Sequence, residues 1–185
     1  ELRHKYDAIY IATGTQLPQK VDIPGENLPG VLHGIDFLRD VNLKKPLKIG
    51  NTVAIIGGGN TAIDSARTAL RLGAKKVMVL YRRTIDAMPA YMTEIQEALE
   101  EGVEIVEMVS PVRFVGARSG AVSKVECVRM KPGDFDSRGR RKSIPIEDSE
   151  FFVDVDMVIP AVSQYADLPF IKKTEINLTK WGNFV

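Results

Sequence analysis

Two unbroken apolar runs, Val53–Ile56 and Val77–Leu80, punctuate the first half of the chain. A run of this kind, ended by glycine or charge, predicts a strand covered on both faces. Between the two runs, Ala62, Ile63, Ala66, Ala69 and Leu70 recur at helical spacing, which predicts an amphipathic helix from Asn60 to Leu72, stopped by Gly73. A second helix is predicted over Pro89 to Glu101, with Pro near its start, Ile95 and Leu99 inward and Gly102 beyond its end. Val103 to Met108 then reads as a third strand. Residues 53–108 are therefore a βαβαβ unit, half of a doubly wound sheet.

The pattern differs on either side. Tyr6 to Ala12 is a short apolar run closed by Thr13-Gly14-Thr15 and predicts a buried strand. Residues 16–32, rich in Pro and Gly, predict an irregular connector, and Gly34 to Val41 a short helix with Ile35, Leu38 and Val41 at helical spacing. Pro46 to Gly50 reads as a turn. After Pro111, apolar and polar residues alternate. Val112–Val115, Val122–Met130 and Ser143–Val153 predict antiparallel strands, with turns at Ser119-Gly120 and Ser137-Arg138-Gly139. Met157 to Val162 is again unbroken and can return to the parallel sheet as its next strand. The fold class is α/β: a Rossmann-like parallel sheet flanked by helices, with an antiparallel β-meander after the third strand.

Chemistry enters at the first strand-to-helix turn. Gly57, Gly59 and Ala62 form G-x-G-x-x-A. Gly57 permits the tight turn. A side chain at Gly59 would block the approach of a pyrophosphate. Ala62 is small enough for the helix to pack on the strand. The amides of Gly59, Asn60 and Thr61 point toward such a ligand, and Gly58 lies within the same turn. Where an NAD-binding chain would carry an acid, this one reads Tyr81-Arg82-Arg83. Paired guanidinium groups there suit a 2′-phosphate, so NADP(H) is the predicted cofactor. Asp64 and Glu94 lie on the two helices and could face cofactor, a neighbouring domain or solvent.

Composition removes other classes. The chain has 185 residues, 44% hydrophobic and 26% charged, with a net charge of +1. Nucleic acid is not predicted as a partner, since binding it needs a clustered basic excess. Arg138, Arg140, Arg141 and Lys142 do cluster, but acids flank them and the stretch reads as a solvated loop. The single cysteine, Cys127, excludes an internal disulfide and a self-contained iron–sulfur cluster; it reads as a packing residue. His4 and His33 lack metal-ligand spacing, so no metal site is predicted. There is no apolar run long enough for a membrane span, and the expected location is cytoplasmic. Neither a nucleophilic triad nor a carboxylate dyad occurs, so no catalytic residue is assigned. That suits hydride transfer, in which the cofactor carries the reaction.

Several segments together resemble a known family. Tyr6-Asp7-Ala8-Ile9-Tyr10-Ile11-Ala12-Thr13-Gly14-Thr15 is similar to the segment that links the FAD domain to the NAD(P)H domain in flavoproteins with two dinucleotide-binding domains. Ile23-Pro24-Gly25-Glu26, Gly30-Val31-Leu32-His33, Gly57 through Asp64, Tyr81-Arg82-Arg83, Met88-Pro89 and Glu100-Glu101-Gly102-Val103 resemble the small (beta) subunit of NADPH-dependent glutamate synthase. The resemblance implies NADPH at Gly57 to Ala62, with Arg82 and Arg83 on its 2′-phosphate and Ala161, Val162 and Ser163 near the nicotinamide. Ser163 stands where the family usually has Gly. The family's two FAD motifs are not found in this sequence.

The resemblance also implies that residues 1–185 are one NAD(P)H-binding domain cut from a larger flavoprotein. Its partners would be the FAD-binding domain of the same polypeptide and an iron–sulfur or catalytic partner subunit. FAD would be held by the full-length protein only, and hydride would pass from NADPH to that FAD. The isolated piece is expected to be inactive. The alternative is a non-catalytic interaction module with a degenerate nucleotide-binding fold. A short-chain dehydrogenase would need a Tyr-x-x-x-Lys pair after the third strand, which is not there.

Overall fold

The computed structural model describes residues 2–137, 139–169 and 177–179. Backbone contacts group the chain into two units, Glu1–Leu17 with Gln164–Val185, and Pro18–Ser163. The first contains a 3-10 turn at Leu2–His4. A two-residue ladder pairs β1 (Leu17–Pro18) with β10 (Gln164–Tyr165). The predicted strand over Tyr6 to Ala12 does not form. Tyr6, Ile9 and Tyr10 are 62%, 43% and 93% exposed, and the backbone there has no regular structure. An apolar run becomes a strand only where a neighbouring edge offers hydrogen-bond partners, and no described strand does so here. Trp181 to Val185, which read as a strand in the sequence, lie outside the described residues.

The larger unit carries the predicted core. Its elements in chain order are α1 (Gly34–Asn42), β2 (Thr52–Ile56), α2 (Asn60–Arg71), β3 (Lys76–Tyr81), α3 (Met92–Glu100), β4 (Glu104–Glu107), β5 (Val109–Gly116), β6 (Val122–Phe135), β7 (Arg141–Pro145), β8 (Phe151–Asp154) and β9 (Met157–Pro160). The parallel sheet has the order β4-β3-β2-β9. β9 returns beside β2 as predicted, with Val53 opposite Met157 and Ile56 opposite Pro160.

This order explains where the helices lie. β2, β3 and β4 advance in one direction, so right-handed crossovers place α2 and α3 on one face. There Ile55, Val77 and Val79 pack with Ala62, Ile63, Ala66, Ile95 and Phe37. The connection to β9 runs the other way across the sheet, and the antiparallel strands cover the opposite face. Ala54, Ile56, Met78 and Leu80 meet Val109, Phe114, Val125 and Cys127 there. Burial on both faces is why β2 and β3 read as continuous apolar runs.

Several element boundaries differ from the sequence reading; β5 already begins at Val109 and β9 ends at Pro160. The second helix begins at Met92, not Pro89; a separate 3-10 turn, Ile85–Ala87, precedes it, and Met88 and Ala90 are buried in the core instead. Ser143 to Val153 is two strands. Asp148 has φ 54, and Ser149 donates to the Ile146 carbonyl at 2.6 Å and accepts from the Arg129 amide at 3.0 Å, so a side-chain turn separates β7 from β8. β6 runs on to Phe135, pairing with β5 and β8 along its first half and β7 along its second.

Candidate functional site

The carboxyl ends of β2, β3 and β9 converge on the turn at Gly57–Gly59. Gly57 has φ 138, and a Cβ there would lie 2.3 Å from the Ala161 carbonyl oxygen. Both its angle and its space therefore demand glycine. The Ala161 amide donates to the Ile56 carbonyl at 2.7 Å, which brings 161–163 alongside the turn. A Cβ on Gly58 would meet the Tyr81 ring at 2.5 Å. That ring is held by its hydroxyl, which donates to the Ala87 carbonyl at 2.8 Å.

Gly59 is different. No atom lies within 4 Å of where its Cβ would be, and its φ of −88° is open to any residue. It is the N-cap of α2 but provides no side-chain cap, and no acid occupies the first turn. Among the described residues, the Gly59 and Asn60 amides have no acceptor. Unmet donors at a helix N-terminus, next to the open space where a Gly59 side chain would stand, are an arrangement that can accept an anion. The Asn60 side chain also steadies the neighbouring helix, because its Oδ1 accepts the Tyr91 amide at 3.0 Å at the start of α3. Ala62 is fully buried under the sheet.

Arg82 and Arg83 leave the end of β3, as expected. Arg82 is exposed and, among the described residues, has no acidic partner. Arg83 is half-buried, and its Nε donates to the Arg141 carbonyl at 2.9 Å. Glu107, opposite Tyr81 in the sheet, is occupied by the Ile85 amide. The order β3-β2-β9 thus brings the glycine turn, the β3 cations and Ala161, Val162 and Ser163 to one end of the sheet. Val162 is 43% exposed, Ser163 is exposed, and the Ser163 carbonyl accepts the Gln19 amide at 3.0 Å.

Of the two helix acids, Glu94 has a structural role. Arg67 on α2 meets Glu94 at 2.6 Å, Glu97 at 2.7 Å and Glu101 at 2.7 Å, and Arg71 reaches Glu101 at 2.6 Å. Hydrogen bonds from Arg67, and further from Arg71, hold the Glu101 carboxyl below its usual range despite desolvation. Asp64 is pushed up, first by burial and then by nearby Glu94, with Arg67 opposing. Cys127 is fully buried, and burial followed by the charge on Glu126 pushes its thiol to about 12. No described group of His, Cys, Asp and Glu could hold a metal ion.

The sequence reading expected antiparallel strands and a turn where β6 meets β7, but it missed that cations there line a cleft. Arg140, Arg141 and Lys142 are exposed, as a solvated loop requires, but they also line a cleft of about 440 Å³ with Arg83, Thr84, Ala87 and Met108. A cation cluster next to an aromatic, Phe135, was the available signal.

A family model for pyridine nucleotide-disulphide oxidoreductases matches residues 1–185. The chain belongs to the pyridine nucleotide-disulphide oxidoreductase family. Among its relatives, the beta subunit of the NADP(+)-dependent formate dehydrogenase of Moorella thermoacetica is 44% identical over 174 residues, covering 92% of this chain and 24% of that protein. The glutamate synthase [NADPH] small chain of Azospirillum brasilense is 35% identical over 202 residues, covering 100% of this chain and 41% of that protein. This relative bears out the glutamate-synthase resemblance. The chain spans well under half the length of these curated relatives. Mycobacterium tuberculosis FprA, solved in complex with NADPH, superposes with a TM-score of 0.75 at 17% identity, over 96% of this chain and 54% of that one. At that identity the match bears out the oxidoreductase fold alone. No helix among the described residues is long and apolar enough to cross a membrane.

Proposed function

We propose that this chain is the NADP(H)-binding part of a flavoprotein, positioning the nicotinamide for hydride transfer to FAD held elsewhere in the full-length protein. The observation that carries the reading is the pairing of Gly59, open in front of unmet helix amides, with two arginines at the end of the neighbouring strand. The Gly59 and Asn60 amides would hold the diphosphate, with Gly57 and Ala62 fixing the turn and Gly58 packing it on Tyr81. Thr61 continues the same helix turn. Arg82 and Arg83 would take the ribose phosphate. Ala161, Val162 and Ser163 would line the nicotinamide end. NADPH, when bound, would supply the hydride; the residues of this chain bind and orient.

No side chain here is assigned a proton-transfer role. The FAD domain and an iron–sulfur or catalytic subunit are proposed partners, in line with relatives named as subunits of larger enzymes. A cytoplasmic setting belongs to the same proposal. Calorimetric titration with NADP+ and NAD+ tests it: NADP+ should bind more tightly, and the isolated chain should not oxidise NADPH. Binding of neither coenzyme would favour an interaction module instead.

A further inference from the structure

The turn between β6 and β7 is built rather than loose. Gly139 (φ 71) donates its amide to the Asp136 carbonyl at 3.0 Å, and Asp136 Oδ1 accepts the Arg140 amide at 2.9 Å. The Arg141 guanidinium stacks on Phe135 at 4.7 Å from the ring centre. At Gly133 a Cβ would lie 2.5 Å from Ile144 Cδ1, so glycine lets the two strands cross closely there. The Arg83 side chain, donating to the Arg141 carbonyl at 2.9 Å, ties this hairpin to the end of β3.

The result is a cleft of about 440 Å³, within the range of small-molecule sites (about 300–1,000 Å³). Arg83, Arg140, Arg141 and Lys142 line it, and among the described lining residues there is no acid. Asp136 pairs with Arg140 at 3.7 Å, but Lys142 has no acidic partner among the described residues. Stacking on Phe135 uses the face of the Arg141 guanidinium and leaves its in-plane donors available. Arg83 has spent only Nε. An anion in the cleft would be attracted by Arg83, Arg141 and Lys142 together.

We propose that the β6–β7 hairpin is the second wall of the phosphate-recognition pocket, and that Arg141 and Lys142, with Arg83, select a coenzyme carrying a phosphomonoester on its adenosine ribose. This rests on the NADP(H) reading above and adds a segment distant in sequence to the residues that set specificity.

Calorimetry with NADP+, NAD+, adenosine 2′,5′-bisphosphate and 5′-AMP tests it. Lys142→Ala and, separately, Arg141→Ala should each weaken NADP+ and the bisphosphate by about tenfold, as loss of a charge-assisted hydrogen bond implies. NAD+ and 5′-AMP should be unchanged. Lys124→Ala, which removes a cation paired with Asp154 on another strand, should leave all four unchanged. Circular dichroism checks that each variant is folded, and Lys142, which has no described partner, keeps the test valid if Arg141→Ala loosens the hairpin. A wild-type preference for NADP+ that survives both hairpin substitutions would overturn this proposal and leave the function intact. Equal losses in Lys124→Ala would overturn it too, as diffuse charge. A wild-type chain that does not distinguish NADP+ from NAD+ would overturn the function and this proposal together.

Discussion

A Cβ placed on Gly57 would stand 2.3 Å from the carbonyl oxygen of Ala161, across the junction where β9 closes against β2. The glycine turn is therefore part of the sheet's packing as well as part of a ligand site. Gly57→Ala should cost about 2 kcal/mol or more, because positive φ and the clash act together. Urea unfolding measures it; a melt like wild type would contradict this packing.

Gly59→Ala should behave in the opposite way. Its φ is ordinary and nothing lies within 4 Å, so urea unfolding should match wild type to within about 0.5 kcal/mol. Dinucleotide affinity should nevertheless fall by at least about tenfold, since the methyl group would stand in the diphosphate's path. The motif assigns Gly57 to the turn and Gly59 to ligand approach, and the two substitutions together test that division.

The Arg67 cluster predicts a pH effect. Glu101 is held below its ordinary value of 4.5, so its contribution is present above that pH and is lost as pH falls through the lower folded value. Stability should decline as pH drops below about 4.5. Arg67→Ala should lower the urea midpoint at pH 7 and flatten that acid decline. The pairs are partly exposed, so added salt should narrow the gap between variant and wild type. A wild-type and Arg67→Ala pair with parallel acid profiles would refute the coupling.

Cys127 should resist a disulfide thiol reagent at pH 8 in the native protein and react at once in denaturant, because burial holds the thiol near 12. The folded value lies above the ordinary 9.0, so the proton is bound more tightly when folded. Stability is then complete below about pH 9 and falls as pH rises toward 12, and Cys127→Ala removes that component. Rapid native labelling would show the thiol accessible.

The sheet and its helices were legible because Ile55 and Val79 are buried among neighbours on every side, which writes an unbroken apolar run into the sequence. Ala62, Ile63 and Ala66 wrote the helix in the same way. Tyr6 to Ala12 misled, since apolarity states a preference for burial and says nothing of which edge is available. Pro89 misled as a helix start because Met88 and Ala90 are drawn into the core, and the Tyr91 amide finds its acceptor on Asn60, far away in sequence. The hairpin cations were invisible as a wall because the cleft exists only once Arg83 meets the Arg141 backbone, a contact between residues 58 positions apart.

A crystal structure of the chain with NADP+ tests dinucleotide binding at this end of the sheet most directly. The diphosphate should lie within hydrogen-bond distance of the Gly59 and Asn60 amides, and the ribose phosphate against Arg82 and Arg83. A dinucleotide lying elsewhere, or a site left empty at saturating NADP+, would contradict it.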